Sequence, residues 1–333
     1  MKLVPVLLIA AGIAAMAALV VHFGAGAVAA ALVAVGFLGF ASVTAIHTAL
    51  IALMGLAWAA LLPRVPPWVA VWGRFVRDSA SEVLPLSQVG GYVLGTRALA
   101  LAGVPATQGV ASTIIDVTVE FVSQLVYAAL GLVWLLHLHA SGIAPGFVVL
   151  GLAVAASLAL AFIVVQRRGI RYVDRIAGIL GQGWAERTAA GAATLHLALE
   201  AIYRRRGGIW LSFLLHLACW IASASEVWVA LWFAGQPLPF GSVMVIESLV
   251  YAIRSTAFFV PNSVGVQEGA YILLGGAFGL SPEMALALSF LKRARDLVIG
   301  LPVLALWQAI EGGRIWRRVS AKAPAAPPLV GRD

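Results

Sequence analysis

The chain is a strongly apolar and weakly charged sequence of 333 residues, with 62% hydrophobic and 11% charged residues. Soluble domains carry roughly 25% charged residues, so an ordinary soluble protein is excluded. The composition predicts an all-α polytopic membrane protein with one integral membrane domain, residues 1–333. The net charge of +8 comes from localised arginines, which membrane topology explains better than binding to nucleic acid.

Several apolar runs are long enough to cross a bilayer, which takes roughly 20 residues. In chain order, the six predicted spans are Leu3–Phe23, Ala27–Leu62, Pro105–Leu136, Ala144–Val165, Ile209–Phe233 and Pro282–Ile310. The first resembles a signal peptide but has a poor cleavage site, so it is interpreted as a membrane helix. The second is too long for one simple crossing, and we expect it to include an interfacial start.

Arginine placement predicts the topology. Residues 166–208 form a basic loop, and the C-terminal tail adds Arg314, Arg317, Arg318 and Lys322. The positive-inside rule places both regions in the cytoplasm. The chain is therefore expected in the bacterial cytoplasmic membrane, with both termini on the cytoplasmic side. Apolar residues recur at helical spacing within the basic loop, which predicts amphipathic helices along the membrane surface. Residues 318–333 are expected to form a flexible cytoplasmic tail.

Two stretches, Trp68–Gly103 and Phe240–Gly279, resemble each other. Each has an arginine, then a proline beside small residues, then a glycine-rich apolar half. Because proline removes a backbone donor and disfavours helix before it, each stretch is predicted to form two short helices joined by a break. Broken backbone at membrane depth is tolerated only inside protein or beside water, so a re-entrant hairpin is favoured. Two ordinary kinked helices are the alternative.

The charge rule gives the two stretches opposite orientations in the membrane. The first repeat half is residues 65–137, where the chain enters the membrane from the cytoplasmic side. The second is residues 238–311, where the chain enters from the outer side. This arrangement predicts an inverted repeat, which is typical of transport proteins with a site near the midplane.

Four strong charges, Lys292, Arg293, Arg295 and Asp296, lie within the last predicted span. A charge at bilayer depth costs at least about 2.5 kcal/mol, so these groups must face a polar cavity, other charges or water. A purely structural salt-bridge cluster is the alternative. Asp116 and Glu120 share a helix face at i, i+4 spacing. We expect them to neutralise Arg293 or Arg295 when a cavity is empty, or to bind a proton.

The second hairpin tip carries Pro261, Asn262 and Gly265, and Glu268 follows closely enough to meet a head group, a proton or Arg254. The predicted substrate-binding residues are Arg77, Glu82, Arg97, Asp116, Glu120, Arg254, Pro261, Asn262, Gly265, Glu268, Lys292, Arg293, Arg295 and Asp296. No catalytic residue, metal site or cofactor is expected, since His137 and His139 at i, i+2 point to different sides of a helix. An intramembrane lipid-modifying enzyme would have Asp116, Glu120 or Glu268 as acid–base groups.

The segment from Pro261 to Ala270, with Leu291–Asp296 and Leu301-Pro302, resembles the lysylphosphatidylglycerol synthase transmembrane-region (flippase-domain) family. Within it, the likeness is to the membrane protein associated with hopanoid biosynthesis. The tip departs from the family's Pro-Gly-Gly-x-Gly turn, whereas Glu268 and the arginine positions are kept.

The resemblance implies lipid translocation and not lipid aminoacylation, since the chain has no aminoacyl-transfer domain. The expected partners are membrane lipids (a hopanoid or a phospholipid), anionic lipid at the basic loop, and lipid-biosynthesis enzymes, with no nucleic acid. The alternative function is a non-transporting membrane scaffold that binds such enzymes through the basic loop.

Overall fold

The computed structural model describes residues 17–84, 87–138, 157, 182–256 and 261–322. Within them, residues 17–23 are helical, and the chain continues as nine α-helices and one 3-10 helix. The α-helices are α1 (Ala25–Ala59), α2 (Pro67–Val83), α3 (Ser87–Leu101), α4 (Ala106–His137), α5 (Gln182–Tyr203), α6 (Arg206–Phe233), α7 (Phe240–Thr256), α8 (Val266–Ala277) and α9 (Pro282–Lys322). The 3-10 helix is Pro261–Ser263.

Four of these helices, α1, α4, α6 and the part of α9 up to Gly313, are long and apolar enough to cross a membrane. They correspond to the second, third, fifth and sixth predicted spans, so the prediction of an all-α polytopic membrane protein is confirmed at this level. The predicted span Ala144–Val165 lies outside the described residues, apart from residue 157, and most of Leu3–Phe23 also lies outside them. Six spans with two re-entrant hairpins therefore stay a prediction.

The 35 residues of α1 do not form one continuous rod. Gly36 has φ 69° and ψ 173°, which interrupts the helical backbone within the span. A straight helix of this length would measure about 50 Å, well beyond the hydrocarbon core of roughly 30 Å. The break explains why this apolar run exceeds the length of a simple crossing.

Both proline-containing stretches form two short helices separated by a break, as predicted. In the first, α2 ends at Val83 and Leu84 is extended, the conformation favoured before a proline. In the second, the 3-10 helix lies between α7 and α8. The helices of each pair pack against each other. Small residues allow this contact in the first pair, where a Cβ on Gly95 would lie 3.0 Å from the carbonyl oxygen of Gly73.

The two stretches also end alike, at a left-handed glycine. Gly103 has φ +97° and Gly279 has φ +82°. The following amides donate back five residues, from Val104 to Leu99 O at 3.1 Å and from Leu280 to Gly275 O at 3.0 Å. This Schellman arrangement closes a helix where a positive φ is required. The sequence repeat therefore extends to the backbone geometry of its turns.

Helix packing follows the same repeat, with α1–α4 and α6–α9 as corresponding groups of four. The hairpin helix α2 packs on α9, and its counterpart α7 packs on α4. Likewise α1 packs on α9 and α6 on α4, while α1 and α6 pack on each other. Each of these helix contacts thus has a reciprocal partner, which is the pattern that a two-fold relation between two halves produces. The corresponding units include α1 and α6, beyond the predicted halves 65–137 and 238–311.

Helix α5, within the described part of the basic loop, has a buried and an exposed side, and its position along the membrane surface stays a prediction. Leu199 and Ile202 are buried against Trp58 and Leu61 in one apolar cluster, while His196 and Leu197 are exposed. The predicted helical residues before 182 lie outside the described part of the chain.

Large apolar side chains remain exposed on the outer faces of the spans. On α9, Leu297, Val298 and Leu301 are about half exposed, whereas Lys292 and Arg295 on the same helix are 3% exposed. A soluble protein would bury the first set and expose the second, so this inside-out distribution fits a lipid-facing surface around a polar interior.

Candidate functional site

The first charge cluster brings together α2, α4 and α6. We define it as Arg74, Arg77, Asp78, Asp116, Glu120 and His216. Arg74 donates from Nη2 to Glu120 Oε1 at 2.6 Å and from Nη1 to Glu120 Oε2 at 3.0 Å, a bidentate pair. Arg77 joins both acids of α4, with Nη1 2.6 Å from Asp116 Oδ2 and Nη2 2.5 Å from Glu120 Oε2. The planar guanidinium suits such forked contacts.

His216 completes the cluster from α6. Its Nε2 lies 3.1 Å from Asp116 Oδ1, and both side chains are fully buried. Asp116 therefore contacts Arg77 and, at 3.7 Å, Arg74 on α2, and His216 on α6, and it fixes the position of α4 between these helices.

A second buried pair lies between α7 and α9. Lys292 contacts Glu247, and Tyr271 on α8 contacts both groups. Lys292 Nζ also lies 4.9 Å from the centre of the Tyr251 ring. Glu247 and Tyr271 are completely buried, so this pair is closed to solvent.

The second charge cluster joins α1, α6 and α9, and consists of His47, Glu226, Arg295 and Asp296. Arg295 contacts Glu226 and donates to Asp296 Oδ1 at 2.9 Å. His47 lies 2.9 Å from Glu226 Oε1 and 3.6 Å from Asp296 Oδ1. The contact of His47 on α1 with Asp296 on α9 has a counterpart in the other group of helices. There His216 on α6 contacts Asp116 on α4.

The second hairpin tip is held by Glu268, on the first turn of α8. Its Oε2 accepts from the Gly265 amide at 2.7 Å, and its Oε1 accepts from Arg293 Nε and from Ser289, both at 2.8 Å. Gly265 has φ +83°, a conformation that other residues rarely adopt. The carboxylate thus caps α8 and binds α9 at the same time.

The hairpin junction, defined as Glu82, Arg254, Asn262, Glu268 and Arg293, connects the two hairpins. Arg254 Nη2 lies 3.2 Å from Glu82 Oε1, and Asn262 Nδ2 donates to the backbone oxygen of Glu82 at 2.7 Å. Arg293 Nη1 reaches the backbone oxygen of Asn262 at 3.3 Å. The charges of Arg293, Arg295 and Asp296 also act on Glu82, so the junction borders the second charge cluster.

The cations of the junction are more exposed than the cations of the other buried pairs. The side chains of Arg254 and Arg293 are each 15% exposed and that of Glu82 is 24% exposed. In contrast, Arg74, Arg77, Lys292 and Arg295 are at most 4% exposed. The junction therefore has partly exposed cations, while in the charge clusters the partly exposed side chains are His47 at 21%, Asp78 at 22% and Glu120 at 14%.

Two predicted pairings are wrong. Asp116 and Glu120 contact Arg77 and Arg74, and not Arg293 or Arg295, because the long arginines of α2 extend to α4, while Arg293 and Arg295 of α9 contact α8 and α6. Glu268 binds Arg293 and not Arg254, which binds Glu82.

The α9 charges were expected to face a polar cavity, other charges or water, and the structure pairs all four with other charged or titratable groups. Of the other predicted site residues, Arg97 binds Glu311 at 2.7 Å on the exposed side of α3 and α9, away from the junction. Pro261 begins the 3-10 helix at the tip.

Sequence reasoning missed Glu226, Glu247, His47, His216 and Arg74. The usable signal was a lone acid inside an apolar helix, as with Glu226 in α6 and Glu247 in α7, since each requires a buried cation. No group of His, Cys, Asp and Glu side chains with metal-binding geometry occurs among the residues described.

A pocket of about 260 Å³ lies apart from these charges, between the loops before α2 and α4. It is lined by Arg64, Trp68, Gly103 and Gln108, among others.

Most of the chain is similar to a known protein family. Residues 4–303 match the family described as the lysylphosphatidylglycerol synthase TM region. No curated protein and no solved structure matches the chain. The match covers most of the sequence, and the chain therefore belongs to this family, in agreement with a lipid-related role in a membrane.

Proposed function

We propose that this member of the lysylphosphatidylglycerol synthase transmembrane family translocates an amphiphilic lipid between the leaflets of the bacterial cytoplasmic membrane, without catalysing a covalent reaction. The observation that carries the proposal is the hairpin junction. It is a partly accessible set of arginines, acids and backbone turns inside a bundle whose outer faces are apolar. A lipid head group needs such a polar route through hydrocarbon, whereas its tails can stay in the bilayer.

The chemistry of the junction suits a head group with phosphate or several hydroxyls. Arg254 and Arg293 approach Asn262 from two sides. Arg254 binds the side chain of Glu82, whose backbone oxygen accepts from Asn262, and Arg293 donates to the backbone oxygen of Asn262. Guanidinium groups donate in pairs to phosphate oxygens. In the resting arrangement Glu82 and Glu268 occupy these donors. An entering head group would replace the carboxylates, so binding and opening of the junction are one event.

The reciprocal packing of the two helix groups supports an inverted repeat with two re-entrant hairpins. In transporters of this design, the site lies where broken helices of the two halves meet. The proposal therefore places the head-group path between the breaks after α2 and after α7, with both chain termini in the cytoplasm. A hopanoid-related lipid is the proposed substrate class, on the resemblance described above, with phospholipid as the other lipid that the same donors accept.

A reconstituted translocation assay tests the proposal. The protein is placed in vesicles that contain a head-group-labelled phospholipid or hopanoid, and a membrane-impermeant quencher reports the label that remains on the inner leaflet. Arg254→Gln should slow the movement because it removes the forked donor at the accessible junction. Arg204→Gln is the matched control, since Arg204 is an exposed arginine on the last turn region of α5, 3.6 Å from Glu200.

A double variant separates substrate binding from structural pairing. If Arg254 only holds Glu82, the Arg254→Gln/Glu82→Gln variant should regain activity, because neither charge is left without a partner. The proposal requires the double variant to stay slow. Wild-type movement no faster than in protein-free vesicles, for both lipids, would reject translocation.

The second candidate is a non-transporting scaffold, and one observation favours it. The buried cations of α2, α7 and α9 in the described residues are all paired with acids, as a closed structural network would be. A scaffold would use the exposed arginines at positions 204–206, next to α5. Substitution of these three by glutamine should then abolish lipid production in cells, while the purified protein moves no lipid with or without the change.

A further inference from the structure

The pocket of about 260 Å³ lies at one end of the bundle, between the loops that precede α2 and α4. It is lined by Arg64, Gln108 and the exposed Trp68, together with apolar residues that include the buried Val69 and Val104. Among the residues that the structure describes, no carboxylate lines it. Pockets for drug-sized ligands measure about 300–1,000 Å³, so this one suits a smaller group, such as the head group of a lipid.

The arginine of this pocket differs from the arginines of the membrane interior. The buried cations of α2, α7 and α9 have acid partners, whereas in the described part of the chain Arg64, Arg205 and Arg206 form no ion pair. A Cβ on Gly208 would lie 2.7 Å from the oxygen of Ala60 and 3.9 Å from Arg205 Nη1. The start of α6 therefore lies beside the end of α1, four residues before Arg64. Cations without acids gather at this end of the bundle and favour an anionic ligand.

Two exposed tryptophans indicate the depth of the pocket in the membrane. Trp68 is the second residue of α2 and is 66% exposed, and Trp210, in the second turn of α6, is 63% exposed. Tryptophan is enriched at membrane–water interfaces, where its ring lies at the level of the lipid head groups. Val104 of the pocket packs in one apolar cluster with Leu199 of α5, the helix of the basic loop. The pocket therefore lies at head-group level on the side predicted to be cytoplasmic.

The start of α4 adds hydrogen-bond donors to the same pocket. Pro105 precedes the helix, no side chain caps its first amides, and Pro105 and Gln108 both line the pocket. Free amides at a helix start carry partial positive charge and attract anions. The side-chain amide of Gln108 is a further donor. A phosphate has enough acceptor oxygens for these donors and for the forked guanidinium of Arg64.

We propose that this pocket binds the phosphate head group of an anionic phospholipid in the cytoplasmic leaflet. Arg64 and Gln108 donate to the phosphate, Trp68 packs beside the glycerol region, and the tails stay in the bilayer. Basic pockets between membrane helices on this side suit such head groups. The site is separate from the hairpin junction, whose arginines are occupied by Glu82 and Glu268. It therefore does not depend on lipid translocation. A lipid bound here joins the loops before α2 and α4, the two helices that supply the arginines and acids of the first charge cluster.

Native mass spectrometry of the full-length protein tests the site. The protein in a neutral detergent is titrated with phosphatidylserine, and phosphatidylcholine with the same tails keeps the phosphate but has no net negative charge. Arg64→Gln should weaken binding of the first phosphatidylserine by about tenfold or more, because a charge-assisted contact is lost. Arg204→Gln is the matched control and should bind as the wild type does, since it removes the same charge from an exposed arginine that pairs with Glu200 outside the pocket.

A second variant, Ala102→Phe, tests the cavity without a change of charge. Ala102 lines the pocket and is exposed, so a phenyl ring occupies the cavity and leaves the core unchanged. Binding should fall as in Arg64→Gln. Full binding in Ala102→Phe, or equal losses in Arg64→Gln and Arg204→Gln, would indicate diffuse attraction to a basic surface and overturn the proposal. Phosphatidylcholine bound as tightly as phosphatidylserine would overturn the preference for an anionic lipid. Displacement of the lipid by an equal concentration of inorganic phosphate would assign the pocket to a soluble anion instead.

Discussion

The buried pair of Lys292 and Glu247 gives the sharpest stability prediction. Lys292→Met removes the cation and leaves Glu247, which is completely buried, with Tyr271 as its neighbour. Removing one partner of a buried pair costs about 3–5 kcal/mol, because the remaining charge has no compensation. This is a large part of a typical unfolding free energy of about 5–15 kcal/mol. At roughly 2 °C per kcal/mol for a long chain, the melting temperature falls by about 6–10 °C.

The assay is thermal unfolding of purified protein in lipid nanodiscs, with membrane yield as a second measure. The double variant Lys292→Met/Glu247→Gln should recover most of the loss, since buried pairs are often replaced by neutral groups without penalty. Arg97→Gln, which removes the exposed partner of Glu311, is the control and should leave the melting temperature unchanged. A double variant as unstable as the sum of the two single variants would refute the reasoning.

Three further predictions follow from local geometry. Gly55→Ala should destabilise the protein by about 1–3 kcal/mol, since the new methyl group would lie 2.5 Å from the α2 backbone. Gly269→Ala is the control and should leave the stability unchanged, because no atom lies within 4 Å of the new methyl group. Equal melting temperatures of the two variants would count against the packing of α1 on α2. Gly265→Val should impair translocation and stability because its φ is +83°, whereas Gly265→Asn should be milder; equal effects would rule out backbone strain as the cause. In a cysteine-free background, Gln236→Cys should react with an impermeant reagent on intact cells and Gly183→Cys should not; the opposite pattern would reject the proposed topology.

Much of the architecture could be predicted from the sequence because apolar length and backbone chemistry are local properties. The apolar runs predict α1, α4 and α6 to within three residues at each end, and they predict the start of α9, which continues beyond the predicted Ile310 to Lys322. Proline and glycine placed the breaks after α2 and α7, since they restrict or free the backbone wherever they stand. These features depend little on which helices are neighbours.

The partners of the buried charges could not be predicted in the same way. An arginine side chain reaches across to another helix, so its partner depends on tertiary packing and not on sequence distance. Arg77 and Asp116 are 39 residues apart, and Arg254 and Glu82 are 172 apart. The expected pairing of Asp116 with Arg293 or Arg295 does not form, because Arg77 of α2 extends to Asp116, whereas Arg293 and Arg295 contact Glu268 and Glu226. Only the assembled bundle determines which acid meets which cation.

The position of a bound lipid head group tests the central claim most directly. It can be located by electron cryomicroscopy of the protein in nanodiscs that contain the transported lipid. The account predicts head-group density at the hairpin junction, within hydrogen-bond distance of Arg254 or Arg293, with Glu82 or Glu268 displaced from its present partner. Lipid density confined to the outer faces of the bundle, with both ion pairs intact, would contradict it.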